Sequence, residues 1–142
     1  MSIVNTQVPI TAQTCNAMIE ALVEKYPFCR SEVLTATAFQ RPIRTLVIGN
    51  GPRKVIYSAA HHANEWITSL VLLKFAEELA AAIAENGRIG GMDAAALCGA
   101  ERRQLCGCEA HLVCFFEEFR ILRIRRGISC FDVIDAEVVE GF

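Results

Sequence analysis

Ser58-Ala59-Ala60-His61-His62-Ala63-Asn64-Glu65-Trp66-Ile67-Thr68 is the stretch on which the fold turns. Upstream, Lys54 to Ala60 reads as a strand whose Val55-Ile56-Tyr57 run is expected to be largely buried. Downstream, Ile67 to about Glu85 reads as a helix, with Ile67, Leu70, Val71, Phe75, Leu79 and Ile83 as its apolar stripe and Lys74, Glu77, Glu78 and Glu85 on its wet face. A buried strand that passes through a tight turn into a long helix is an α/β element. The turn carries an imidazole, His62, and a carboxylate, Glu65, three residues apart. Neutral imidazole nitrogen and carboxylate oxygen both suit Zn²⁺.

Working outward, Thr11 or Thr14 is placed to cap a first helix that runs to about Tyr26, with Met18, Ile19, Leu22, Val23 and Tyr26 on one face and Pro27 ending it. Glu32 to Thr37 reads as a strand, Arg41-Pro42 as a turn, and Ile43 to Ile48 as a second strand. Asn50-Gly51-Pro52 reads as a hairpin turn, since Asn-Gly readily takes positive φ, and the Lys54–Ala60 strand is expected antiparallel to the second. Asn86-Gly87 is expected to stop the long helix. The fold class is therefore α/β, a mixed β-sheet flanked by helices. Trp66 is expected in the core at the start of the long helix.

The bulk properties narrow the function classes. A chain of 142 residues with 53% hydrophobic and 21% charged residues can build a packed core. Its net charge of −2 lacks the concentrated Lys and Arg that binding nucleic-acid phosphates needs. No apolar run reaches the ~18 residues of a membrane span, and Met1 to Gln13 does not read as a secretory signal. Seven cysteines, an odd number, without an export signal favour a reducing, cytoplasmic setting over a disulfide framework.

His-x-x-Glu alone is a common coincidence; its place between a strand and a helix makes it a candidate metal pair. The wording around it resembles the first metal-binding motif of the zinc carboxypeptidase family, His-(Ala/Gly)-x-Glu after a buried strand and before a long helix. The resemblance extends upstream through the helix ending in Tyr26-Pro27, the Gln40-Arg41-Pro42-Ile43 turn and the turn at Asn50-Gly51-Pro52, and covers about residues 11 to 97. His-Ala-Asn-Glu-Trp-Ile-Thr is especially similar to the bacterial branch that cleaves γ-D-glutamyl–diamino-acid bonds in cell-wall peptides. The resemblance implies the N-terminal part of an α/β/α sandwich, Zn²⁺ as cofactor with His62 and Glu65 as its first two ligands, and a peptide substrate, peptidoglycan-derived in that branch. His61 is expected in a supporting or packing role.

The resemblance also implies parts not found here: a third zinc-binding His far downstream, an Asn-Pro-Asp-Gly-like stretch soon after Leu97, an Asn-Arg pair for the substrate carboxylate and a late catalytic Glu. Residues 1–97 are thus expected to be the N-terminal portion of such a domain. Residues 98–142 are expected to be a Cys/Arg-rich tail of uncertain structure, as a frameshift or premature end of the gene would leave; a locus with no family-like continuation in another frame would count against this. The chain is then expected to be an incomplete, inactive fragment, with uncovered surface that favours self-association. A second reading makes it a small non-enzymatic metal-binding protein using Cys106, Cys108, His111 and Cys114, four zinc-type donors within nine residues. The run Arg120 to Arg126 reads as a solvated face.

Overall fold

Two helices lie on one face of a four-stranded sheet in the computed structural model, which describes residues 2–37, 39–97 and 108–114. The first helix, α1, spans Ala12–Lys25. Thr11 and Thr14 cap it together: the Thr11 hydroxyl accepts the Thr14 N–H at 3.2 Å, and the Thr14 hydroxyl accepts the Thr11 N–H at 2.9 Å. This reciprocal box satisfies two amides at the helix start. Cys15, Ile19 and Leu22 form its buried face.

The chain then runs through β1 (Cys29–Ala36) and β2 (Pro42–Ile48), an antiparallel pair with an irregularity between Val33 and Thr35. After β3 (Arg53–Ala59), a short 3-10 turn over Ala63–Glu65 leads into α2 (Trp66–Ala84). A small pair, β4 (Arg88–Ile89) and β5 (Met92–Asp93), and a one-turn helix α3 (Ala94–Leu97) follow. The last described strand is β6 (Cys108–Cys114).

The sheet order is β1-β2-β6-β3. β6 is antiparallel to β2 and parallel to β3. Strands β2 and β3 thus run in opposite directions, as the sequence suggests, but they are not neighbours and Asn50-Gly51-Pro52 is not a hairpin turn. With β6 between them, β2 and β3 stand roughly 10 Å apart, a gap that four residues of extended chain cross with ease. β6 also lies beyond Leu97, within the stretch expected to be the tail.

Leu46 and Ile48 of β2, Leu112 of β6 and Cys29 of β1 join Ile19, Leu22, Leu70, Leu73, Leu79 and Ile83 in one buried cluster, and Tyr57 of β3 meets Phe75 of α2 with ring centroids 5.7 Å apart. α2 closes with a Schellman-type cap: Asn86 takes φ 51°, the Gly87 N–H bonds Ala82 O at 2.7 Å and the Asn86 N–H bonds Ile83 O at 3.2 Å. A side chain on Gly87 would meet Ala82 O at 3.3 Å.

The buried stripe of α2 is rotated from the expected one. Ser69, Leu70, Leu73, Ala76, Leu79, Ala80 and Ile83 face inward, while Ile67 and Val71 are 52% and 64% exposed. Trp66, expected in the core, is 37% exposed. Glu77, expected on the wet face, is buried, because the N-terminal segment folds over it. The Ser2 hydroxyl donates to Oε2 at 2.7 Å, the Lys74 ammonium donates to the same oxygen at 2.9 Å, and the Ile3 N–H donates to Oε1. Among the described residues no helix is long and apolar enough to cross a membrane.

Candidate metal centre

β3 ends at Ala59, and Ala60 turns the chain with φ 54°, a left-handed value costly for a residue with a Cβ. Two hydrogen bonds of a single hydroxyl fix the path of the chain from Ala60 into the helix. Thr68 Oγ1 accepts the Ala60 N–H at 2.8 Å and donates to Glu65 O at 2.8 Å. A side chain on the first turn of α2 thereby ties the end of β3 to the turn that enters the helix. The Glu65 N–H bonds His62 O at 2.9 Å, closing the 3-10 turn.

This turn sets the two expected ligands side by side. His62 Nδ1 lies 3.0 Å from Glu65 Oε1, with both side chains well exposed. A carboxylate can only accept, so this hydrogen bond needs the proton on Nδ1. That hydrogen bond outweighs the opposing effect of burial and holds the Glu65 carboxyl below its ordinary value. The carboxylate is therefore ionised throughout the neutral range.

The pair fits a zinc ion as far as two ligands can. Bonds of ~2.0–2.2 Å to a tetrahedral zinc put neighbouring ligand atoms roughly 3.3–3.6 Å apart, so a shift of a few tenths of an ångström would admit the ion. Taking a metal at Nδ1 requires the proton there to leave. Among the described residues, no group of three or more His, Cys, Asp and Glu stands together as a metal site.

His61 bonds back to the end of β3: its Nε2 lies 2.7 Å from Ser58 Oγ. The Cys/His group does not come together. Cys106 lies outside the described residues, and Cys108 and Cys114 are the two ends of β6. Six strand steps separate those backbone positions by about 20 Å, far beyond the reach of one zinc. His111, half-buried in mid-strand, is in register with Ile56 rather than with the end of β3 where the His62 turn begins. The Arg120–Arg126 run lies outside the described residues. Sequence reading gave Thr68 no role; the only signal for it is a hydroxyl residue three positions after the Glu that leads the helix.

A family model described as zinc carboxypeptidase matches residues 15–91. Gamma-D-glutamyl-L-diamino acid endopeptidase 1 of Lysinibacillus sphaericus is 32% identical over 74 residues, which cover 52% of this chain and 19% of that protein. The uncharacterized protein YqgT of Bacillus subtilis (strain 168) is 33% identical over 75 residues, covering 51% of this chain and 20% of that protein. The chain thus spans about a fifth of the length of the curated relatives it matches.

Among solved structures, bovine thrombin-activatable fibrinolysis inhibitor in complex with tick carboxypeptidase inhibitor superposes with a TM-score of 0.56 at 15% identity, over 74% of this chain and 30% of that one. A second structure of thrombin-activatable fibrinolysis inhibitor gives 0.61 at 12% identity, over 80% and 27%. At such identities these two show the fold alone. The family match covers more than half of the chain and contains the strand, the turn and the helix that carry His62 and Glu65: the chain belongs to the zinc carboxypeptidase family.

Proposed function

We propose that this chain carries part of the metal site of a carboxypeptidase-type metallopeptidase, with His62 and Glu65 as two zinc ligands. The observation that carries the proposal is the 3.0 Å approach of His62 Nδ1 to Glu65 Oε1 on a turn braced by Thr68. Zinc held there supplies an acidified water and polarises a peptide carbonyl. The residues of this chain place the two donors and keep the carboxylate ionised.

A peptide is the substrate class of this reading, and a γ-D-glutamyl–diamino-acid peptide of the cell wall is its specific form, supported by the name of the Lysinibacillus relative. We further propose that the 142-residue chain by itself binds zinc weakly and hydrolyses little, because two protein ligands do not complete a catalytic zinc site. Robust, chelator-sensitive hydrolysis by the pure chain would overturn this part. Self-association belongs to the same reading. Its support is the outer edge of β3, which pairs with no strand among the described residues, and the exposed Ile67 and Val71. Sedimentation showing only monomer at high concentration would exclude it.

The deciding experiment is zinc stoichiometry on the purified chain beside His62→Ala/Glu65→Ala. With zinc added in excess, weak binding that approaches about one zinc per chain and is lost in the double variant is expected. No zinc, or zinc indifferent to the double variant, would remove His62 and Glu65 from the site.

A further inference from the structure

His61, His62 and Glu65 are three zinc-type donors in one short stretch, yet they do not stand together as a metal site. The two histidines are adjacent, and zinc itself draws no distinction between one neutral imidazole and the next. The choice between them is made by the fold. Backbone geometry makes part of it. His62 is extended, with φ −110° and ψ 137°, the form in which neighbouring side chains point to opposite sides. Hydrogen bonds make the rest. His62 bonds forward, from Nδ1 to Glu65 Oε1 at 3.0 Å, toward the start of α2. His61 bonds backward, from Nε2 to Ser58 Oγ at 2.7 Å, onto β3.

Ser58 lies on the face of β3 away from α2. Its strand neighbour Tyr57 meets Phe75 of α2, and successive strand residues face opposite ways. The exposed Ser58 hydroxyl thus draws the His61 ring back over the far face of β3, while the His62 ring stays with Glu65 at the entrance to the helix. The two bonds ask different things of their rings. A carboxylate only accepts, so the bond to Glu65 needs a proton on His62 Nδ1. A serine hydroxyl both donates and accepts, so it holds His61 Nε2 whichever ring nitrogen carries the proton.

We infer that Ser58 is a positioning residue of the metal pair: its hydroxyl holds the His61 ring on β3 and so leaves His62 as the imidazole that joins Glu65 on zinc. This rests on the reading of His62 and Glu65 as zinc ligands. Thr68 and Ser58 then act on different parts of one turn. Thr68 fixes the path of its backbone, and Ser58 fixes which ring the turn offers. A hydrogen bond of ordinary net strength biases that choice about fivefold.

Zinc titration of the full chain labelled with imidazole-¹⁵N histidine, followed by NMR, tests the inference. The chain has three histidines, so each ring is assigned through its own variant. In the parent, zinc is expected to displace the ring-nitrogen signals of His62 strongly and those of His61 by a small fraction of that. In Ser58→Ala the displacement at His61 is expected to grow about fivefold, and Ser58→Thr, which keeps the hydroxyl, is expected to return the parent pattern. Equal displacement of both rings in the parent would overturn the inference. So would an Ala variant in which zinc still moves His62 alone, an outcome that leaves the zinc-ligand reading intact, or a Thr variant that behaves like the Ala variant. Zinc that moves neither ring in the parent would remove that reading and this inference with it. Should the Ala variant not fold, the parent titration decides: a still His61 ring beside a displaced His62 ring supports the inference, and displacement of both refutes it.

Discussion

Thr68 holds two backbone groups with a single hydroxyl, and the position of the candidate metal pair depends on it. Thr68→Val keeps the side-chain shape and leaves the Ala60 N–H and the Glu65 carbonyl without their partner. Two lost hydrogen bonds, one at an amide on a buried residue, are expected to cost about 1–3 kcal/mol of stability. Zinc affinity is expected to fall with it, since Glu65 is then less well placed, and Thr68→Ser is expected to restore much of both. Urea unfolding and zinc titration of the two variants check this; a Val variant as stable and as tight as the parent would remove Thr68 from the account. His62 and Glu65 were legible in the sequence because both lie in one short turn whose chemistry is carried by residue type. Thr68 was not, because its partners are backbone groups, and a sequence displays no backbone geometry. The left-handed Ala60 was hidden for the same reason: neither Gly nor Asn marks the spot.

At the level of elements, helices were read more securely than their faces. α2 has apolar or small residues nearly all round, so periodicity alone left the inward direction open, and the stripe drawn through Ile67 and Val71 missed Leu73, Ala76 and Ala80. The structure makes the two choices distinguishable. Leu73→Ala is expected to cost about 2–5 kcal/mol, as a fully buried leucine does. Val71→Lys is expected to stay within ~0.5 kcal/mol. Chemical denaturation ranks them, and the reverse order would mean that α2 docks by its other side. The first three strands are legible in the sequence, but their order is not: the hairpin pairing of β2 with β3 that the sequence suggests is absent, because β6 lies between them. A short turn-like connection such as Asn50-Gly51-Pro52 normally joins neighbours, and the strand that separates them here arrives some fifty residues later in a stretch with weak periodicity.

For the whole molecule, the contacts that escape sequence reading are those that join distant segments. The insertion of β6 between β2 and β3 is one, and the clasp of Ser2 and Ile3 on Glu77, more than seventy positions away and joined there by the neighbouring Lys74, is another. The clasp has a measurable consequence. Burial alone would raise the Glu77 carboxyl, but the Lys74 ammonium, the Ser2 hydroxyl and the Ile3 N–H outweigh it and lower it to about 2. A group whose folded value lies below its unfolded value of 4.5 contributes stability that is present above pH 4.5 and lost as pH falls from there toward 2. At pH 3 the unfolded chain binds a proton at this site that the folded chain refuses, which removes on the order of 2 kcal/mol relative to pH 6. Glu77→Gln carries no such charge. It is expected to be less stable than the parent at pH 6, because the Lys74 ammonium loses its counter-charge, and to close most of that gap at pH 3. Unfolding free energies of both proteins at the two pH values test the linkage. Parallel losses on acidification would mean that the acid sensitivity of the fold comes from other carboxylates and that the clasp holds the N-terminal segment without depending on its charge.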